Sequence, residues 1–194
     1  MIIYFISVSY FTAPEKEKKW RPLTSREKLE VRSRLAETAR QYVQKRSGLD
    51  CSGLVLKIYE LNNITLFTKQ AVIPPDATGV KIIFSTLKKY NKIFISPGQA
   101  QKGDLIFFNN TFDMNRNNRN DDLLTHIGII VEKDGKGNIS FIHSTSRGIR
   151  YDTMNLSSRS DNRFNSYLRV KKTVDQAGTK YLTGELFYCF GTAF

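Results

Sequence analysis

From residue 104 onward, short runs with the makings of β-strands dominate this chain, behind two stretches patterned as helices. Asp104 to Phe108 (DLIFF), His126 to Val131 (HIGIIV) and Ile139 to His143 (ISFIH) are short, rich in β-formers and bounded by Gly, Asn or Asp. Gly148 to Tyr151 and Leu186 to Phe190 are weaker runs of the same kind. Ahead of them, Thr24 with Glu27 three residues later is a capping-box signature. Val31, Leu35, Ala39, Tyr42 and Val43 recur at helical spacing, which predicts a helix to about Lys45, stopped before Gly48. Asp50-Cys51-Ser52-Gly53 opens a second helix with Leu54, Val55 and Ile58 on one face. Residues 62 to 100 are mixed, with Pro74-Pro75 as a break. Helices first and strands later describe an α+β fold, in which N-terminal helices pack on an antiparallel sheet.

At 194 residues the chain has the length of one domain and can bury a core without disulfides or metal. Two cysteines, Cys51 and Cys189, make no disulfide scaffold, and two cysteines with two histidines match no zinc-finger spacing. No apolar run reaches the roughly 18 residues of a membrane span. Met1 to Phe11 is apolar and resembles the core of a secretory signal, without its positive start; a buried N-terminal strand would read the same way. Glu15 to Arg21 reads as a charged linker, so residues 1–22 stand apart from a single domain over 23–194. The net charge of +12 draws polyanions, but no motif interleaves basic and aromatic residues for nucleic acid. Anionic lipid and acidic cell-wall polymer are both eligible partners, between which charge alone does not choose; a monomer is expected.

Cys51 lies where a loop enters a helix, a place where unpaired N–H groups and the helix dipole favour negative charge. A thiol so placed can fall to a pKa of roughly 3.5–7.5. A nucleophile needs a base, and the base an orienting partner. The two histidines are His126, which starts a strand run, and His143, which ends the next one. If those strands are antiparallel neighbours, both imidazoles lie at one end of the sheet.

At these residues the chain resembles the NlpC/P60 family of peptidases. The resemblance is carried by Asp50-Cys51-Ser52-Gly53-Leu54-Val55, then Pro97-Gly98 through Lys102-Gly103-Asp104-Leu105-Ile106-Phe107-Phe108, then Thr125-His126-Ile127-Gly128-Ile129, then Phe141-Ile142-His143-Ser144, in the family's order. It implies a papain-like α+β fold and a cysteine hydrolase that cuts a peptide or amide bond in bacterial cell-wall peptidoglycan. It also implies Cys51 as nucleophile, His126 as base and His143 as orienter, with no cofactor required. Asp50 and Ser52 would contact the stem peptide, Asp50 either as a helix cap or as a partner for the substrate's free amine. Such an enzyme would be exported to the periplasm or cell envelope. The order Cys before His argues against the circularly permuted acyltransferase relatives. An amidase or acyltransferase on another substrate, or a non-catalytic wall-binding module, are the alternatives.

The chain departs from the family pattern in three places. The tyrosine that the family carries before the Cys, near the oxyanion site, has only Tyr42 as its candidate here, and Tyr42 falls on the predicted helix. Residues 109 to 124 look inserted, and residues 156 to 194 carry no family motif. Within the insertion, Asp113, Asn115, Asn117 and Asp121 resemble the first half of a calcium loop, with Asn118 at the turn position and Leu124 in place of the closing Glu. A weak structural calcium site is the expectation there.

Overall fold

The structure, a computed structural model, describes residues 23–43, 45, 47–66 and 77–194. The signal-like segment with its linker and the Pro74-Pro75 break lie outside the described residues. Helix α1 spans Ser25–Tyr42, and both halves of the Thr24/Glu27 capping box form. Helix α2 spans Cys51–Leu61 and is capped by Asp50, whose carboxylate accepts from the Gly53 N–H at 2.6 Å. A third helix, α3, spans Gly79–Lys89 behind Thr78 as N-cap.

The strands are β1 (Ile93–Phe94), β2 (Leu105–Phe108), β3 (His126–Lys133), β4 (Asn138–Thr145), β5 (Gly148–Asn155) and β6 (Phe187–Gly191), with a short helix α4 (Thr183–Leu186) before β6. They form one six-stranded sheet in the order β1-β6-β2-β3-β4-β5, and every pairing is antiparallel. The α+β expectation therefore holds, and the weaker strand runs fall in β5 and β6, although Leu186 closes α4 and β6 begins at Phe187.

Alternation along the strands sorts side chains onto two faces. Leu105, Phe107, Ile127, Ile129 and Ile142 pack with Leu35 of α1 and with Leu54 and Ile58 of α2. Ile106, Phe108, Ile130, Phe141 and Met154 form the opposite face, against Leu168, Leu186 and Phe187. Residues 156–194 thus cover the second face and return β6 to the sheet between β1 and β2.

One strut ties α1 to the sheet. Arg32 of α1 donates to the buried Asp104 carboxylate at 2.5 Å and to Thr192 at 3.0 Å. Burial pushes the Asp104 carboxyl up, and the Arg32 guanidinium pulls the other way. Gly103 beside it sits at φ +79°, where a Cβ would meet the Arg32 backbone at 3.0 Å. Tyr59 of α2 donates to the Gly103 carbonyl at 2.6 Å. The Gly103-Asp104 pair therefore has a structural part, holding α1 and α2 against the start of β2.

Candidate active site

The site begins with the register of β3, β4 and β5. Continuing the β3–β4 pairing (Ile129 with Ile142) toward the strand ends sets Gly128 opposite His143, with His126 on the same face two residues earlier. Gly128 has no side chain to fill the space between them: a Cβ there would lie 2.8 Å from the Phe141 ring and 3.3 Å from His143 Cβ. Across that gap His126 Nε2 and His143 Nδ1 share a hydrogen bond of 2.7 Å. The two imidazoles do come together at one end of the sheet.

The line continues onto β5. His143 is opposite Arg150, and Asp152, two residues on, projects from the same face. His143 Nε2 lies 2.9 Å from Asp152 Oδ2. All three side chains are withdrawn from solvent: His143 is 0% exposed, Asp152 5% and His126 8%. Burial first, and then the neighbouring His143, hold His126 well below the ordinary imidazole range, so it rests neutral.

Cys51 is the first residue of α2, as its Asp50 cap dictates. Its thiol lies against the backbone N–H of Ile127, the residue after His126, and near the N–H groups of Ser52 and Cys51 itself. Ser144 Oγ of β4 donates to the Leu49 carbonyl at 2.6 Å, which pins the loop before the helix to the strand that carries His143. Asp50 accepts from both the Ser52 hydroxyl (2.9 Å) and the Gly53 N–H on the same oxygen, so the capping half of its expected role is built.

The low thiol pKa expected from the helix start is not what the site provides. Burial pushes Cys51 up to about 11, the Asp50 charge adds to the rise, and the three N–H groups offset only part of it. The reason is that the half-buried thiol is largely shielded from water, and desolvation of a thiolate outweighs the helix-end field. Thiol and imidazole are thus both shifted toward their neutral forms.

Cys51, Asp50, Ser52 and His126 line a cleft of about 860 Å³. That is ample for a few residues of peptide. Three further segments wall it, and of their residues only Asp113 is a site candidate from the sequence, as a calcium ligand. They are Thr78 to Val80 at the start of α3, Thr111 to Met114 in the insertion, and Leu168 to Val170 with Lys172. The insertion and the C-terminal segment thus both border the cleft. The C-terminal segment carries no motif, and the insertion carries only its calcium-like pattern. Tyr42 is not among the residues that line the cleft. It ends α1, packs partly buried on the core, and has the Lys45 ammonium over its ring at 4.8 Å.

The oxygens expected to bind calcium are turned inward on their own loop. The Asp113 carboxylate accepts from the N–H groups of Asn117 (3.1 Å) and Asn118 (2.9 Å). The Asn117 amide donates to both oxygens of Asp121, and Asn115 accepts from the Asn117 N–H at 3.0 Å. Asn118 takes the left-handed turn at φ +58°. Among the described residues no three His, Cys, Asp or Glu side chains gather as metal ligands, and here two of the four oxygen donors are amides.

The family model described as NlpC/P60 family matches residues 39–168. No curated protein and no solved structure matches the chain. The matched span runs from the end of α1 through all three of His126, His143 and Asp152 and stops where the C-terminal wall of the cleft begins.

Proposed function

The chain belongs to the NlpC/P60 family, and from that premise we propose that it is a cysteine hydrolase that cuts a peptide or amide bond of bacterial peptidoglycan through a thioester on Cys51. Membership implies cell-wall hydrolase activity in general, and the helices packed on an antiparallel sheet are the family's papain-like fold. The observation that carries the finer reading is one cleft lined by both Cys51 and His126, with His126 bonded from behind to a buried His143.

The steps follow from which atoms are free. His126 Nε2 is engaged by His143, which leaves Nδ1 as the ring nitrogen free to serve the thiol. As Sγ attacks the substrate carbonyl, its proton passes to His126 Nδ1. The oxyanion that forms is held by backbone N–H groups at the start of α2, the Cys51 N–H first among them. His126 returns the proton to the leaving amine as the C–N bond breaks. Water then gives a proton to Nδ1, attacks the thioester and regenerates the thiol. These steps call on no cofactor. Stem peptides are the substrate and anionic envelope polymers the wider partner. The protein acts as an exported monomer, its catalytic domain spanning 23–194.

One observation favours a second reading. A half-buried thiol in a cleft wide enough for peptide also suits a wall-binding module that has kept the fold without the reaction. Digestion of purified peptidoglycan by the protein and by Cys51→Ala, with mass spectrometry of the products, separates the two. The hydrolase yields new termini that Cys51→Ala does not produce. A binding module pulls down the polymer and leaves it intact.

A further inference from the structure

We propose that Asp152 is a positioning residue that fixes the tautomers of both histidines, so that the lone pair of the base faces the thiol. The inference rests on Cys51 and His126 acting as nucleophile and base. His126, His143 and Asp152 form one diagonal line across the adjacent strands β3, β4 and β5, at 2.7 Å and 2.9 Å. His143 is fully buried and Asp152 nearly so, and His126 reaches solvent only at the cleft, so each hydrogen along the line must have a defined place.

The polarity of the line follows from its far end. A carboxylate accepts and cannot donate. The hydrogen in the His143–Asp152 contact therefore belongs to His143 Nε2. A neutral His143 with its hydrogen on Nε2 has only a lone pair on Nδ1. The hydrogen in the His126–His143 contact must then belong to His126 Nε2. A neutral His126 with its hydrogen on Nε2 has its lone pair on Nδ1, the nitrogen left for Cys51. One acceptor on β5 thus decides, two hydrogen bonds away, that His126 is a base toward the cleft and not a donor. When Nδ1 takes the thiol proton, the new imidazolium keeps its Nε2–H on His143 and no proton needs to travel to Asp152. The other charged group facing Asp152 is Arg150, whose Nε stands 3.9 Å from Oδ1 with the side chain 43% exposed. It leaves Oδ2 to His143.

Asp152 was passed over in sequence because the predicted strand run stopped at Tyr151. It lies one residue beyond that run within β5, an acid on an inward face with Met154 as its next neighbour on that face.

The test reads the tautomers and the rate separately. In ¹⁵N-resolved NMR of the wild-type protein at neutral pH, His126 and His143 are both expected as Nε2–H tautomers with unprotonated Nδ1. Asp152→Asn can present its amide N–H₂ to His143 Nε2 and reverse the line, which puts the hydrogen of His126 on Nδ1. We expect that variant to lose about 10²- to 10⁴-fold in kcat on soluble peptidoglycan fragments, with KM nearly unchanged. Asp152→Glu, which keeps an acceptor, is expected to recover part of the rate and the wild-type tautomers. Wild-type histidines with hydrogen on Nδ1, or an Asp152→Asn variant that keeps both tautomers and rate, would overturn the proposal. If His126→Ala retains full activity, it is the underlying assignment of the base that fails instead, whatever the NMR shows.

Discussion

At the residue scale, the two histidines carry different duties, and their substitution should show it. His126→Ala removes the group that takes and returns the proton, whereas His143→Ala removes only its support. Single-turnover hydrolysis is expected to fall roughly 10³-fold or more for His126→Ala and by less for His143→Ala. A larger loss at His143 would contradict the assignment. Burial of His126 also has a consequence for stability. Its pKa is lowered on folding, so below about 6.5 the unfolded chain binds a proton that the native protein refuses. Stability from this group is therefore fully present above that pH and is lost as pH falls toward the lower native value. Urea melts at pH 7.5 and pH 5.5 should show a drop for the wild type that is smaller for His126→Gln. An equal drop would place the acid sensitivity elsewhere.

At the scale of elements, the loop of residues 109–124 leads directly into β3 and His126. The Asn109 and Asn110 side chains accept from the N–H groups of Leu124 and Asp122, and Thr111 donates to Thr125 Oγ1 at 2.8 Å, so the loop is cinched at its base. A calcium ion held by Asp113, Asn115, Asn117 and Asp121 would have to displace the N–H groups now bonded to the two carboxylates. Binding should therefore be weak, on the order of 10⁻⁴ to 10⁻³ M. Millimolar Ca²⁺ is expected to raise Tm in the wild type and not in Asp113→Ala; no heat on calorimetric titration and an unmoved Tm would remove the metal from the account. The elements themselves were legible to different degrees. The capping box, the Asp50 cap and the period-2 strand runs act locally, so α1, α2 and β2–β4 could be read from neighbours in sequence. Helix α3 carried its own signal in Val80, Ile83 and Leu87 behind Thr78, but the surrounding mixed stretch obscured it. The His126–His143 pairing was readable because a strand start and a strand end must meet in an antiparallel pair. Asp152 and the Leu168 to Lys172 wall depend on register and on chain return from far along the sequence, which no local pattern encodes. The thiol pKa was misjudged for the same reason, since burial is a tertiary property.

At the scale of the whole molecule, 30 basic residues against 18 acidic ones leave a net charge of +12. Three of the basic side chains, Lys45, Arg169 and Lys172, stand at the cleft. Attraction to an anionic wall should therefore be general and screened over about 10 Å at 0.1 M salt. Co-sedimentation with isolated walls is expected to weaken steadily as salt rises, and salt-independent retention would point to specific contacts in place of the overall field. The central claim concerns one sulfur atom within this charged body. It is tested most directly by acid-quenching the reaction with soluble peptidoglycan fragments during turnover and measuring the intact protein by mass spectrometry. The account predicts a covalent adduct equal to the acyl half of the fragment, mapped to the peptide containing Cys51, removed by hydroxylamine and absent from Cys51→Ala. Hydrolysis that continues in Cys51→Ala with no adduct in the wild type would contradict it.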